Sequence, residues 1–194
     1  MKRSASPGRT GRPAVFLDRD GVLNHELFRD GRFCPPRNVS ELVIVDGVRS
    51  ALEVLKGHGF MLIVVTNQPG VARGMARRAD VEEINNRLAR ILPLDAIMVC
   101  EHDDKDECEC RKPKPGMMLR AQEKYGIDLC HSFMIGDRWR DIEAGRRAGC
   151  GTILIGDGHG ETFLSMPTMR VGSLSEAVSW ITKQKRSEQL LHEN

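Results

Sequence analysis

Apolar residues in this chain fall in short blocks separated by polar stretches that carry glycine and proline. Two blocks are continuous: Ala14–Leu17 and residues 60–65 (Phe-Met-Leu-Ile-Val-Val). Runs of that length without alternation predict strands buried on both faces, as in the middle of a parallel sheet. Ala96–Cys100 and residues 132–136 and 152–155 read as three further strands. Between the strands the apolar positions shift to helical spacing. Helices are predicted over 47–57 (Val48, Leu52 and Leu55 on one face), 80–90 with Asp80 as N-cap, 115–125, 137–148 closed by Gly149, and 174–183. Residues 25–46, with Arg29, Asp30, Gly31, Pro35 and Pro36, read as a long irregular loop. Strands alternating with helices imply a doubly wound, parallel α/β sheet, whose ligands sit beyond the carboxyl ends of the strands.

Composition bounds this picture. The chain has 194 residues, 40% hydrophobic and 29% charged, which suits one α/β domain over 13–184 with no large cap domain. A disordered basic tail is expected over 1–12 and a second charged tail over 185–194. The net charge of +2 and an aromatic content of 5% give no support to a nucleic-acid partner. No apolar run approaches the roughly 18 residues of a membrane span, so no membrane partner is expected. The apolar run after Met1-Lys2-Arg3 is too short for a signal-peptide core, which leads to the expectation of a cytoplasmic protein. A monomer is expected.

The chemistry gathers at the predicted strand ends. The first strand runs into Asp18-Arg19-Asp20-Gly21. Desolvating two carboxylates without partners costs several kcal/mol, and a divalent cation is the usual compensation. Thr66, Cys100 and Asp137 also stand at strand ends, so the sheet should bring all of these groups to one place. A second pattern is Cys100-x-His102, five residues, then Cys108-x-Cys110. Four sulfur and nitrogen ligands in two paired halves read as a structural tetrahedral zinc site, against the alternatives of a redox-sensitive cluster or unrelated neighbours. Cys110 leads directly into Arg111 and Lys112, so zinc would fix the loop that aims both. Cys34, Cys130 and Cys150 default to buried small hydrophobes.

Asp18-x-Asp20-Gly21-Val22-Leu23-Asn24 resembles the first motif of the haloacid dehalogenase (HAD) superfamily of phosphatases. Thr66, Lys112, and Gly136-Asp137 with Asp141 follow in the order of its other motifs. The resemblance implies an aspartyl-phosphate mechanism with Asp18 as nucleophile and Asp20 as acid and base. It implies Thr66 and Lys112 on the phosphoryl group. Magnesium would be held by Asp18, the Asp20 backbone and Asp137, with Asp141 in support. The cysteine loop before Cys110-Arg111-Lys112-Pro113 and the stretch Thr66-Asn67-Gln68-Pro69-Gly70-Val71-Ala72-Arg73-Gly74 resemble the branch that holds the heptose bisphosphate phosphatases and the histidinol-phosphate phosphatase domains. Pro69 stands where that branch usually has Ser, and Arg138 where it often has Lys. The resemblance implies a small phosphorylated sugar as substrate, a heptose 1,7-bisphosphate losing its 7-phosphate. Arg19, Asn67, Gln68, Arg73, Arg111 and Arg138 are then the candidates for substrate binding, because guanidinium forks suit phosphate oxygens. The competing readings are histidinol-phosphate phosphatase, polynucleotide 3′-phosphatase and a zinc-stabilised binding module.

Overall fold

The computed structural model of the protein describes residues 11–192, with side chains described to residue 185. The five predicted strands, β1 (Ala14–Leu17), β4 (Met61–Asn67), β5 (Ala96–Cys100), β6 (Phe133–Gly136) and β7 (Gly151–Ile155), form one parallel sheet with a sixth that was not expected, β8 (Met169–Val171), in the order β5-β4-β1-β6-β7-β8. Every pairing in it is parallel. After β1 the chain builds outward through β4 to β5, then returns to lay β6 on the other flank of β1. The carboxyl end of β1 is therefore the topological switch point, where such sheets bind ligands.

The continuous apolar strands are buried on both faces, as their composition requires. Val15 and Leu17 of β1 join Leu62, Val64, Ile135 and Ile153 on one face, under α1 (Val48–Gly57), α2 (Arg78–Ile91) and α5 (Leu174–His192). Ala14 and Phe16 point the other way, to Ile63, Val65 and Met134, under α3 (Gly116–Tyr125) and α4 (Trp139–Ala148). The period-two alternation of strand side chains thus builds both cores from one run of residues. No helix among the described residues is long and apolar enough to cross a membrane.

Four other elements differ from the sequence expectation. The long loop after β1 contains a hairpin of β2 (Leu27–Arg29) and β3 (Arg32–Cys34), turned by Asp30 and Gly31, both at positive φ. Asp-Gly between two short runs is a known hairpin signal. Asp80 is not the N-cap of α2: Arg77 holds that position, and Asp80, a turn inside, accepts from the Arg77 guanidinium at 2.6 and 2.7 Å. Of the tail expected over 1–12, residues 1–10 lie outside the described residues. Arg12 is exposed but tied down, its amide donating to the Gly126 carbonyl at 3.2 Å and its guanidinium to the Gly59 carbonyl at 2.9 Å. At the other end α5 continues to His192, and Lys185 donates to the His58 carbonyl and lies 4.6 Å from the Phe60 ring centre. Cys150 is buried as expected, but Cys34 is half-buried and Cys130 exposed.

Candidate active site

Asp18, Thr66 and Asp137 meet at the carboxyl ends of β1, β4 and β6, as the sheet topology demands. Lys112 completes the group from the loop ahead of α3. Its side chain is 97% buried, and the ammonium lies 2.9 Å from Asp18, 2.6 Å from Asp141 and 2.8 Å from the Val65 carbonyl. Burial alone would drive this amine towards its neutral form, but the Asp141 and Asp18 carboxylates outweigh it and hold the lysine charged. Asn67 fixes the lysine from behind, its amide bonded to both the N–H and the C=O of Lys112 at 3.0 Å. Gly21 and Gly136 make the packing possible: a Cβ at either would collide with Asp137 or Asp141.

The carboxylates are not balanced by cations. Asp20 has a partner in Arg19, which is fully buried and also bonded to Asn85 at 2.9 Å. Asn24 and Gln68 donate to Asp20 at 2.9 and 2.7 Å, and Gln68 also donates to the Thr66 hydroxyl at 2.8 Å. Arg138 is taken by Glu26 and Glu161 at 3.0 and 3.2 Å. Asp137 alone has no Lys or Arg bonded to it, and its Oδ1 is buried without a hydrogen-bond partner. Burial first, then the Asp18, Asp141 and Glu26 charges, push the Asp137 carboxyl up to about 9. Burial and Asp141, opposed by Lys112, push Asp18 up to about 7. Asp18, Asp137 and Asp141 each offer an oxygen within 4.8 Å of the others. Asp18 and the orphaned Asp137 oxygen are hard donors amid excess negative charge and fit a divalent cation such as magnesium, while Asp141 is engaged by Lys112 and the Arg138 amide.

The cysteine pattern also closes on itself. Cys100, Cys108 and Cys110 lie with sulfurs 3.2, 3.4 and 3.6 Å apart, and His102 Nδ1 is 3.3 and 3.7 Å from Cys110 and Cys100. A tetrahedral zinc with ligands at about 2.3 Å sets its ligand atoms about 3.8 Å apart, so this quartet is compatible with zinc. All of these cysteines are free thiols.

A cavity of about 450 Å³ opens over Asp18, Asp20, Thr66 and Lys112. Its rim holds Arg73, Arg111 and Arg138, as the sequence suggested, and also Arg29, Arg32 and Phe33 of the hairpin and Arg140 of α4. Arg19 is a correction: it does not line the cavity, and its whole charge is spent inward on Asp20 and Asn85. Asn67 and Gln68 do line it, but their amides are committed to Lys112, Asp20 and Thr66. The acids of the cysteine loop are paired with rim arginines. Arg111 and Arg140 converge on Asp104 at 2.8 and 3.1 Å, while Arg73 bonds Asp103. The Arg73 hydrogen bond holds Asp103 down at about 2, and Arg111 lowers Asp104, so both acids stay ionised near neutrality. Sequence reading missed Glu26, His159 and Glu161, which hold the Asp137–Trp139 turn. Their only signal was placement: His159 and Glu161 follow β7 in a glycine-rich turn at another strand end.

Comparison with known proteins agrees with this geometry. Residues 109–175 match the HAD-hydrolase-like family model. A curated D-glycero-beta-D-manno-heptose-1,7-bisphosphate 7-phosphatase of Escherichia coli O6:H1 is 37% identical over 154 residues, 72% of this chain and 77% of that protein. The protein of the same name from Yersinia pestis is 39% identical over 72% of this chain and 78% of its own length. Among solved structures, a D,D-heptose 1,7-bisphosphate phosphatase from B. bronchiseptica, complexed with magnesium and phosphate, superposes with a TM-score of 0.74 at 31% identity, covering 94% of this chain and 99% of that one. Fold and strand-end cluster together define an HAD-type phosphatase, a phosphoric monoester hydrolase. Within that class, the chain belongs to the D-glycero-beta-D-manno-heptose-1,7-bisphosphate 7-phosphatase family.

Proposed function

We propose that the protein removes the 7-phosphate of D-glycero-D-manno-heptose 1,7-bisphosphate and leaves the 1-phosphate in place. The observation that carries this reading is the buried Asp18–Lys112–Asp141 cluster, with the orphaned Asp137 oxygen beside it, under a rim of arginines. The names of the relatives supply the sugar.

Asp18 is the nucleophile. Its carboxylate oxygen forms a bond to phosphorus as the bond from phosphorus to the sugar oxygen breaks, giving an aspartyl phosphate. Asp20, aimed by Arg19, Asn24 and Gln68, delivers a proton to the departing sugar oxygen. It then takes one from the water that cleaves the aspartyl phosphate. Lys112 and the Thr66 hydroxyl face the phosphoryl oxygens. Magnesium, when bound by Asp18, the Asp20 backbone carbonyl and Asp137, screens the charge between the nucleophile and the phosphoryl group. Asp141 supports Lys112 from behind. Zinc on Cys100, His102, Cys108 and Cys110 is structural and fixes the segment that carries Arg111 and Lys112. Arg73, Arg111 and Arg138 are the candidates for the non-reacting phosphate. A monomeric state, a cytoplasmic setting and the absence of nucleic-acid and membrane partners belong to the same reading.

The test is one enzyme preparation assayed on the heptose bisphosphate, histidinol phosphate and a 3′-phosphorylated oligonucleotide. The expected result is the highest kcat/KM on the bisphosphate, with one phosphate released per sugar. A higher value on either competitor overturns the substrate assignment.

A further inference from the structure

The turn after β7 reaches back into the active site at two points. It reads Gly156-Asp157-Gly158-His159-Gly160-Glu161. Its three glycines have φ of +75°, +77° and +68°, and His159 itself sits at +56°, a region that disfavours a residue with a side chain. The Asp157 carboxylate accepts from the His159 amide at 2.9 Å and holds the residue in that conformation. From there His159 Nε2 lies 2.8 Å from Asp137 Oδ2. Two residues on, Glu161 accepts from the Arg138 guanidinium at 3.2 Å and from the Trp139 amide at 3.3 Å. The ring of Phe33, from the β2–β3 hairpin, packs edge-on against His159 with centroids 5.4 Å apart.

Asp137 therefore has two unlike oxygens: Oδ2 held by an imidazole, and Oδ1 buried and free. We propose that His159 is a positioning residue for magnesium. With its proton on Nε2 it donates to Oδ2, fixes the carboxylate, and leaves Oδ1 as the donor to the cation. A ligand carboxylate that is itself hydrogen-bonded binds its metal more tightly. Glu26 Oε2 lies 3.9 Å from the imidazole, so Glu26, Asp137 and His159 could also be read as a separate metal site. Against that, the Arg138 guanidinium already spans both Glu26 oxygens at 3.0 and 3.1 Å and would repel a second cation.

The inference rests on the magnesium of the proposed function but not on its sugar, so it is tested without substrate. Magnesium is titrated calorimetrically into the zinc-containing wild type, His159→Ala and His159→Gln. A glutamine amide can reach the position of Nε2 and donate to Oδ2. Alanine is expected to weaken magnesium binding roughly tenfold and glutamine to recover most of it, as for other groups that orient a ligand. Both variants should melt like wild type in magnesium-free buffer, and at saturating magnesium neither should change KM. Wild-type affinity in the alanine variant overturns the proposal. So does an equal loss in both variants with manganese affinity falling further than magnesium affinity, which would make His159 a ligand itself. If the wild type binds no magnesium, the metal assignment and the proposal fall together. A failure of the heptose assay alone leaves this measurement standing.

Discussion

The floor and the rim of the cavity handle charge in opposite ways. On the floor, buried Lys112 serves two carboxylates, Arg19 serves Asp20, and Asp137 is left with an orphaned oxygen and a raised pKa. Rim charges cancel locally: Asp104 takes Arg111 and Arg140, and Asp103 takes Arg73. Burial decides which arrangement is stable. An unpaired buried charge costs several kcal/mol and demands a permanent partner. An exposed pair contributes only about 0–1 kcal/mol, so a phosphate can displace a carboxylate from an arginine at little cost. In the proposed function the floor is an incomplete site that a cation finishes, and the rim a complete one whose internal anions a substrate replaces.

Three variants test that division, in falling order of effect. Asp18→Asn keeps the shape of the floor and removes both the nucleophile and a metal charge. The expected loss in kcat is about 10⁴-fold or more. In magnesium-free buffer its melting temperature should match or exceed wild type, because the single Lys112 ammonium then has one buried carboxylate to balance instead of two. A lower melting temperature would mean the floor is not short of positive charge. Cys108→Ser should release zinc and loosen the segment leading to Lys112. A displacement of about 1 Å at such a group can cost about a hundredfold, so elemental analysis and kcat should fall together. Zinc loss with full activity would break the link between the loop and the floor. Arg111→Ala acts on the rim, and KM for the bisphosphate should rise about tenfold, the equivalent of about 1.4 kcal/mol. KM for a simple monophosphate should barely move, and an equal change for both would remove Arg111 from the second phosphate.

The floor was far more legible in the sequence than the rim, and the reason is the same difference in burial. Asp18, Thr66 and Asp137 stand where continuous apolar strands end, and a parallel sheet leaves such residues no other place to go. The cysteine quartet was legible from spacing, because two paired ligands on each side of a turn must converge. Arg19 failed because sequence reasoning places arginine outside, whereas its burial rests on the neighbouring Asp20 together with Asn85, 66 positions away. The β2–β3 hairpin carried its own signal in Asp30-Gly31, lost among the prolines around it. Contacts such as Arg140 to Asp104 or His159 to Asp137 join segments that follow different strands, and no local pattern encodes them.

The smallest effect is the sharpest test of the comparison. Asp104→Asn removes the carboxylate on which Arg111 and Arg140 converge and keeps its size. If the rim acids merely stabilise the loop, the change should cost stability and weaken substrate binding. If they stand in for a phosphate, it should lower KM, because the substrate no longer competes with an internal anion. Asp104 is 56% exposed, so its pairs with the arginines are screened by water. About 0.5 kcal/mol is a reasonable scale for that competition, a decrease in KM of about twofold. Its dependence on salt should also change. Salt weakens the internal pairs as well as the substrate contacts in wild type, whereas in the variant only the substrate contacts remain, so KM should rise more steeply with ionic strength. The measurement is KM for the bisphosphate at low and high salt in both proteins. An Asp104→Asn variant with raised KM and an unchanged salt slope would show that the rim acids hold the arginines in place, and that the two regions differ in exposure but not in principle.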